Sequence, residues 1–191
     1  MKKILIGTHN KGKFKEIAYL ISKKYKKISP KSLKIKSPNE TGKTFSSNSK
    51  LKANYFSKFV KFPVISDDSG LCIKSIRNKP GIYSARLAKK HGSFFKAMQY
   101  LLKKMKNKKN RSAYFVCALT FKDTKKDSIS VIGKINGTIS KKIKGNKGFG
   151  YDPIFIPDSY SKTFGELPKY KKMKIDHRFI AFKKLKKKVK I

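Results

Sequence analysis

Two rhythms of apolar and polar positions alternate along the 191 residues. The opening run Lys2–Gly7, KKILIG, reads as a short strand, followed by a polar, glycine-containing turn from Thr8 to Lys13. Apolar residues then recur at Phe14, Ile17, Ala18, Ile21, Tyr25 and Ile28, which is helical spacing. Residues 32–37 predict a second strand closed by Pro38, and Phe45, Leu51, Tyr55, Phe56 and Phe59 predict a helix over about 44–60. After Pro63, Val64-Ile65 enter a strand expected to end at Asp67-Asp68-Ser69-Gly70, with 71–76 as its hairpin return and Pro80-Gly81 in a loop. Phe94, Met98, Leu101, Leu102 and Met105 mark another helix. Residues 111–122 and 128–140 are rich in β-branched and aromatic residues and predict a hairpin turning at 123–127. A glycine-rich stretch, 145–150, precedes a last helix that starts near Asp176, a good N-cap, and runs through Ala181, Leu185 and Val189. Early strands alternate with helices and late strands pair as hairpins. The expected class is α/β, with a mixed sheet and flanking helices.

Composition changes this picture in one respect. Fifty Lys and Arg against ten Asp and Glu give a formal net charge of +40, while 38% hydrophobic residues are enough for a core. Such an excess favours anionic ligands: nucleic acid, a membrane surface or phosphorylated metabolites. Yet Arg supplies only four of the fifty cations, and readers of base edges lean on the Arg fork. Twenty Ile against five Val, and no Trp, fit a coding bias toward A/T that would supply lysines without selection for charge. No apolar run approaches the roughly 18 residues of a membrane span, and the four-residue apolar run near the N-terminus is too short for a secretory signal. Cys72 and Cys117 stand far apart with no CxxC, so neither a disulfide framework nor a zinc site is indicated, and a reducing cytoplasm is expected.

Four constellations can carry chemistry. Thr8-His9-Asn10-Lys11-Gly12-Lys13 joins a strand to a helix, where free backbone amides attract anions and glycine lets the chain approach a phosphate. An ordinary turn in a lysine-rich chain explains the same residues equally well. Asp67-Asp68-Ser69-Gly70 places two of ten acids side by side. Adjacent strand residues face opposite ways, so one carboxylate can meet a ligand while the other anchors structure. Hard oxygen donors suit Mg²⁺, and Glu40, in another loop, is a candidate second ligand. Gly148-Phe149-Gly150-Tyr151-Asp152-Pro153 permits a tight turn that can expose a ring for stacking on a base, or a structural turn with both rings in the core. Asp176-His177-Arg178 opens the last helix, where His177 and Arg178 can donate hydrogen bonds to a carbonyl, or be a packing histidine and a surface charge.

Together these segments resemble the inosine triphosphate pyrophosphatase family. The resemblance rests on Thr8–Lys13 with Glu16, Glu40-Thr41-Gly42-Lys43-Thr44-Phe45, Asn48 with Lys52-Ala53, and Ser66–Leu71. It continues through Pro80-Gly81-Ile82-Tyr83-Ser84-Ala85-Arg86, Gly148–Phe155 and His177-Arg178 with Ala181. Any one block is weak, but seven in order across nearly the whole chain are specific. The sequence departs from the family pattern at His9, where glycine is more usual, at Ser47, commonly Glu, and at Asp176, usually Ser. Residues 87–110 match poorly.

The resemblance implies an elongated mixed sheet with two lobes around a nucleotide cleft, one domain over 1–191, and a homodimer. It also implies Mg²⁺-dependent hydrolysis of the α–β phosphoanhydride of ITP, dITP and XTP to nucleoside monophosphate and pyrophosphate. Asp68 carries over as the general base or metal-linked carboxylate and Glu40 as the other metal-associated acid. Thr8, His9, Asn10, Lys11, Gly12, Lys13, Lys52, Ser69 and Lys172 carry over to the triphosphate. Phe149 packs on the base, Gly150, Tyr151 and Asp152 shape the pocket, and His177 and Arg178 recognise the 6-oxo edge. A carboxylate with a pKa near ~4 is a weak base at neutral pH, so the metal's polarisation of water supplies much of the activation. A pocket donating to a 6-oxo group leaves a donor unpaired against adenine, at a cost of roughly 1–3 kcal/mol.

The rival reading, a basic nucleic-acid-binding protein of ribosomal type, rests on charge alone and is opposed by the scarcity of Arg and the absence of a binding motif. A related pyrophosphatase for modified pyrimidines would share the fold. No specific nucleic-acid partner and no membrane association are expected. Seven of the ten acids, Glu16, Glu40, Asp67, Asp68, Asp152, Glu166 and Asp176, lie in or beside the proposed site segments, whereas lysines are spread everywhere. A fold carrying +40 repels itself. Its melting temperature should therefore rise as salt increases from ~0.02 M to ~0.3 M in calorimetry, and a flat or falling trend would contradict the self-repulsion argument.

Overall fold

A computed structural model describes residues 1–124 and 127–191. Strand β1 (Lys2–Ile6) buries Ile4, Leu5 and Ile6 completely. Ile4 and Ile6 join one hydrophobic cluster while Leu5 packs with Phe56 and Val64 in another, so apolar side chains cover both faces of this strand. Helix α1 (Lys11–Leu20) starts at Asn10, whose side-chain oxygen accepts from the Lys13 amide at 3.0 Å. The helical spacing predicted through Ile28 stops at Ile21, where the backbone is extended. Tyr25–Ile28 is instead strand β2, parallel to β1 in the register Lys2↔Tyr25 to Leu5↔Ile28. The open edge of β1 offers that segment a ladder of hydrogen bonds, and its Tyr and Ile suit a pleated strand.

The strand expected over 32–37 does not form. Lys31–Leu33 is a single 3₁₀ turn and Lys34, at φ 54°, breaks any extended run. Helix α2 (Phe45–Ser57) opens with a capping box in which Thr44 and Ser47 bond each other's backbone amides, so Ser47 anchors the start of the helix. Strand β3 runs unbroken from Val64 to Ile73. The hairpin expected at Asp67–Gly70 is absent, because nine of these ten residues are buried and the two acids find cationic or amide partners inside the strand. Gly70 is required there by close approach: a Cβ would lie 2.2 Å from the Gly81 carbonyl oxygen.

Pro80 lies not in a loop but in the two-residue strand β4 (Lys79–Pro80), antiparallel to the end of β3. Helices α3 (Ser84–Lys90) and α4 (Phe94–Lys104) follow, the first unforeseen in the sequence and the second as expected. The long strands β5 (Ser112–Lys122) and β6 (Ile129–Ile139) match expectation, while the turn expected between them includes Lys125 and Lys126, outside the described residues. Strand β7 (Phe155–Pro157) pairs antiparallel with β6, α5 is the short helix Lys169–Lys172, and α6 spans His177–Lys186. The strand order is β2-β1-β3-β5-β6-β7, with β4 on β3. Parallel pairing of β1 with β2 and β3, beside these antiparallel pairs, makes the sheet mixed, as the alternation of elements predicts.

The chain resolves into two compact units. The first comprises Met1–Asp68, Cys117–Gly133 and Arg178–Ile191, and the second Ser69–Val116 and Lys134–His177. The core of the first packs Ile17 and Ile21 of α1 and Phe182 and Leu185 of α6 on Ile4, Ile6, Ile65 and Leu119. A buried chain of hydroxyls, Ser49 to Thr120 to Ser130, also ties α2 to β5 and β6 there. The core of the second centres on three rings, with Phe155 4.7 Å from Phe115 and 5.3 Å from Phe164. Phe155 is fully buried, so Phe155→Ala should destabilise the protein by about 3–5 kcal/mol in urea denaturation, and a loss below ~1 kcal/mol would contradict this packing.

Candidate active site

The first unit gathers most of the expected charged residues. Asp67, wholly buried, lies 3.1 Å from the Lys13 ammonium of α1 and 3.7 Å from Nε of Arg178 on α6. Arg178 also donates through Nη1 to Glu16 at 2.8 Å. Burial opposes ionisation of Asp67, but Lys13, Arg178 and Lys52 outweigh it and hold its pKa down at about 2. Asp68, next along β3, accepts a hydrogen bond from the Asn48 amide at 3.0 Å. Burial raises the Asp68 pKa above the ordinary carboxylate value and nearby Glu40 adds to the rise, against Lys13, Lys52 and the Asn48 bond. The two neighbours thus divide as strand geometry requires: Asp67 joins helices to the sheet, and Asp68 meets α2.

Lys52, buried on α2, donates to Glu40 at 2.6 Å. Burial works against its charge, yet Asp67, Asp68 and Glu40 together raise its pKa, so it is an ammonium throughout the neutral range. The Thr8–Lys13 loop leaves β1 with Thr8 buried and bonded through its hydroxyl to the Asn10 amide at 3.2 Å. The first helical hydrogen bond of α1 is Phe14 N to Asn10 O, so the amides of Lys11 and Gly12 lie before it, at the positive end of the helix. The ring of His9 is taken up elsewhere: Nδ1 pairs with the Ser37 hydroxyl at 2.6 Å and Nε2 with the Ile35 carbonyl at 3.0 Å. The carbonyl can only accept, so Nε2 carries the proton.

The second unit holds the remaining expected residues. Lys172 is buried and pairs with Asp152 at 2.6 Å. The same Asp152 oxygen accepts from the Phe149 amide at 2.8 Å. Gly148, at φ +76°, lets the turn close onto that carboxylate, where a Cβ would fall 2.2 Å away. The Lys172 ammonium sits 4.8 Å from the centre of the Phe149 ring. Gly150 also takes a positive φ, and the buried Tyr151 donates its hydroxyl to the Ser84 carbonyl at 2.9 Å. His177 stacks on Phe115 at 4.8 Å with the rings 11° from parallel. Ser69 is half-buried at the first position of this unit's part of β3. A separate groove of about 900 Å³ in this unit, lined by Ile82, Tyr83, Arg86, Leu87 and Tyr100, contains none of the expected site residues.

Pattern reading missed Asn48 as a contact of Asp68 and the Glu16–Arg178–Asp67–Lys13 chain. The signal for both was present: acids are so scarce that a Glu on the inner face of α1 and an Asn one helical turn before Lys52 each stand out. No cluster of three His, Cys, Asp or Glu able to cage a metal exists among the described residues. A pair of acids suits Mg²⁺ nonetheless, because that ion keeps waters and is completed by substrate phosphates. No helix among the described residues is long and apolar enough to cross a membrane.

An α/β protein with paired acids, a buried and a half-buried lysine and a helix N-terminus in one unit is equipped to handle a phosphorylated ligand. The chain belongs to the Ham1 family, whose model matches residues 4–188. It is 41% identical over 189 residues to a dITP/XTP pyrophosphatase of Dictyoglomus thermophilum, covering 96% of this chain and 92% of that one. It is equally 41% identical over 192 residues to a dITP/XTP pyrophosphatase of Oceanobacillus iheyensis, covering 98% of each. Among solved structures, the Staphylococcus aureus Ham1 protein matches with a TM-score of 0.87 at 34% identity over 97% of both chains. A HAM1 protein from Coxiella burnetii matches with a TM-score of 0.87 at 31% identity over 98% of both.

Asp67 generates a prediction about stability. Its folded pKa of about 2 lies below the unfolded value of 3.8, so the folded state binds fewer protons between them. The stabilisation is complete above the unfolded value and is lost as pH falls through the folded one. Asp67→Asn should cost about 2–5 kcal/mol at pH ~7, shrinking toward zero near pH ~2, when urea melts are compared across pH. A pH-independent deficit would contradict the ionic role.

Proposed function

We propose that this chain is a Mg²⁺-dependent hydrolase of aberrant purine nucleoside triphosphates, dITP, ITP and XTP, releasing nucleoside monophosphate and pyrophosphate. The observation that carries the reading is the grouping of Asp68 and Glu40 with Lys13 and Lys52 in a unit where those acids oppose few others in the chain. The names of the relatives support the substrate class.

Asp68 and Glu40 would hold the Mg²⁺, which when bound neutralises charge on the anhydride and polarises water. Asp68 takes a proton from the attacking water as its oxygen bonds to the α-phosphorus and the bond to the bridging oxygen breaks. Burial raises the Asp68 pKa above the ordinary carboxylate value and so makes it a better base than an exposed carboxylate. Lys13 and Lys52 are charged groups fixed in advance, and such donors stabilise a leaving pyrophosphate without reorganising. The amides of Lys11 and Gly12 suit phosphate oxygens. Phe149 would face the base, with the Asp152–Lys172 pair and Tyr151 holding its turn in shape. His177 and Arg178 would read the 6-oxo edge, Arg178 being oriented for it by Glu16 and Asp67.

We read residues 1–191 as one catalytic domain made of the two units, acting as a homodimer in the cytoplasm on the free nucleotide pool. Neither Cys72 nor Cys117 is in a disulfide among the described residues, which suits a reducing compartment. With Mg²⁺, kcat/KM for dITP should exceed that for dATP by about 5- to 150-fold, read by pyrophosphate release. Asp68→Asn should lower kcat by ~10²-fold or more with the fold retained by circular dichroism. Equal turnover of dATP would refute the specificity, and a fully active Asp68→Asn would refute the assigned base.

A further inference from the structure

Asn48 is fully buried near the start of α2 and makes two hydrogen bonds of opposite sense. Its Oδ1 accepts from the Gly42 amide at 2.7 Å, and its Nδ2 donates to Oδ2 of Asp68 at 3.0 Å. The Gly42 N–H can only donate, so the carboxamide has a single orientation: oxygen toward the loop, NH₂ toward the acid. Gly42 is pressed against this group so closely that a Cβ would lie 2.5 Å from Oδ1 and 2.9 Å from the Asn48 nitrogen. Two residues before it stands Glu40, which Lys52 holds from the same helix. Asn48 and Lys52 are spaced i, i+4 and therefore share one face of α2. One helix face thus grips Asp68 through Asn48, and the Glu40 loop through both residues. The helix is itself fixed, by the Thr44–Ser47 capping box at its start and by Ser49 against Thr120.

We propose that Asn48 is a positioning residue for the hydrolysis: its carboxamide ties the Gly42 amide to the Asp68 carboxylate and so sets where the two acids stand relative to each other. The inference rests on the function proposed above. It assigns Asn48 no contact with the reacting atoms. Asn48 is fully buried, so removing its amide leaves the groups it bonded short of a partner at a cost.

Two near-isosteric substitutions separate the halves of the bridge. Asn48→Asp keeps an acceptor for Gly42 but sets a second carboxylate against Asp68. Asn48→Leu removes both bonds. In Asn48→Asp, kcat for dITP should fall by ~10²-fold with KM within about threefold, and the Gly42 amide should remain protected in hydrogen exchange followed by NMR. Asn48→Leu should lose both turnover and Gly42 protection. A kcat for folded Asn48→Asp within about twofold of the parent, or Gly42 still protected in Asn48→Leu, would overturn the assignment. If neither variant folds, the parent protein decides it, since a Gly42 amide that exchanges as fast as an unstructured one excludes the bridge. Lack of dITP turnover by the parent would refute the function itself, and the inference would fall with it.

Discussion

A carboxylate sealed from water has to be answered by charge, and in this chain Asp67 is answered from two helices at once. Lys13 reaches it from α1 and Arg178 from α6, while Glu16 holds the far side of the same guanidinium. Two acids and two bases therefore join both helices to β3 in one buried network. Removing one member leaves its former partner buried with less opposite charge to answer it, which is costlier than never having built the set. The same network fixes the Lys13 ammonium, so the end of α1 that suits a phosphate is located by the interaction that closes the core beneath it.

Around that network, the neighbouring acid is treated differently. Asp67 is driven toward permanent ionisation, whereas Asp68 is pushed the other way by burial and Glu40. Pairs of titratable groups whose environments separate their pKa values are the usual mark of divided roles. Asp67 is structural, and the proposed function gives its neighbour the proton transfer. The +40 charge recedes in importance once these contacts are seen. Most lysines are exposed, whereas Lys52 and Lys172 are buried and Lys13 half-buried, each beside an acid.

Much of this was legible in the sequence, for physical reasons that differ by segment. β1, α2, α4, β5 and β6 carry clean periodicity and strong ends, and they appear where expected. The errors occurred where tertiary partners overruled local pattern. Tyr25 and Ile28 kept a helical phase with α1 but were claimed by the edge of β1. Asp67–Gly70 has the composition of a turn, yet buried partners keep it in a strand. Of the site, the segments were readable and the pairings were not. Nothing in the spacing says that Lys172 turns inward to Asp152, that His9 bonds Ile35 and Ser37, or that Asn48 spans Gly42 and Asp68.

In the proposed hydrolysis the attacking water meets the α-phosphorus, under Asp68, and pyrophosphate leaves whole. Hydrolysis of dITP in ¹⁸O-labelled water, with the products resolved by ³¹P NMR, tests this most directly. The label should appear only in the nucleoside monophosphate, and the pyrophosphate should be unlabelled. Label in pyrophosphate, or release of orthophosphate in its place, would contradict it.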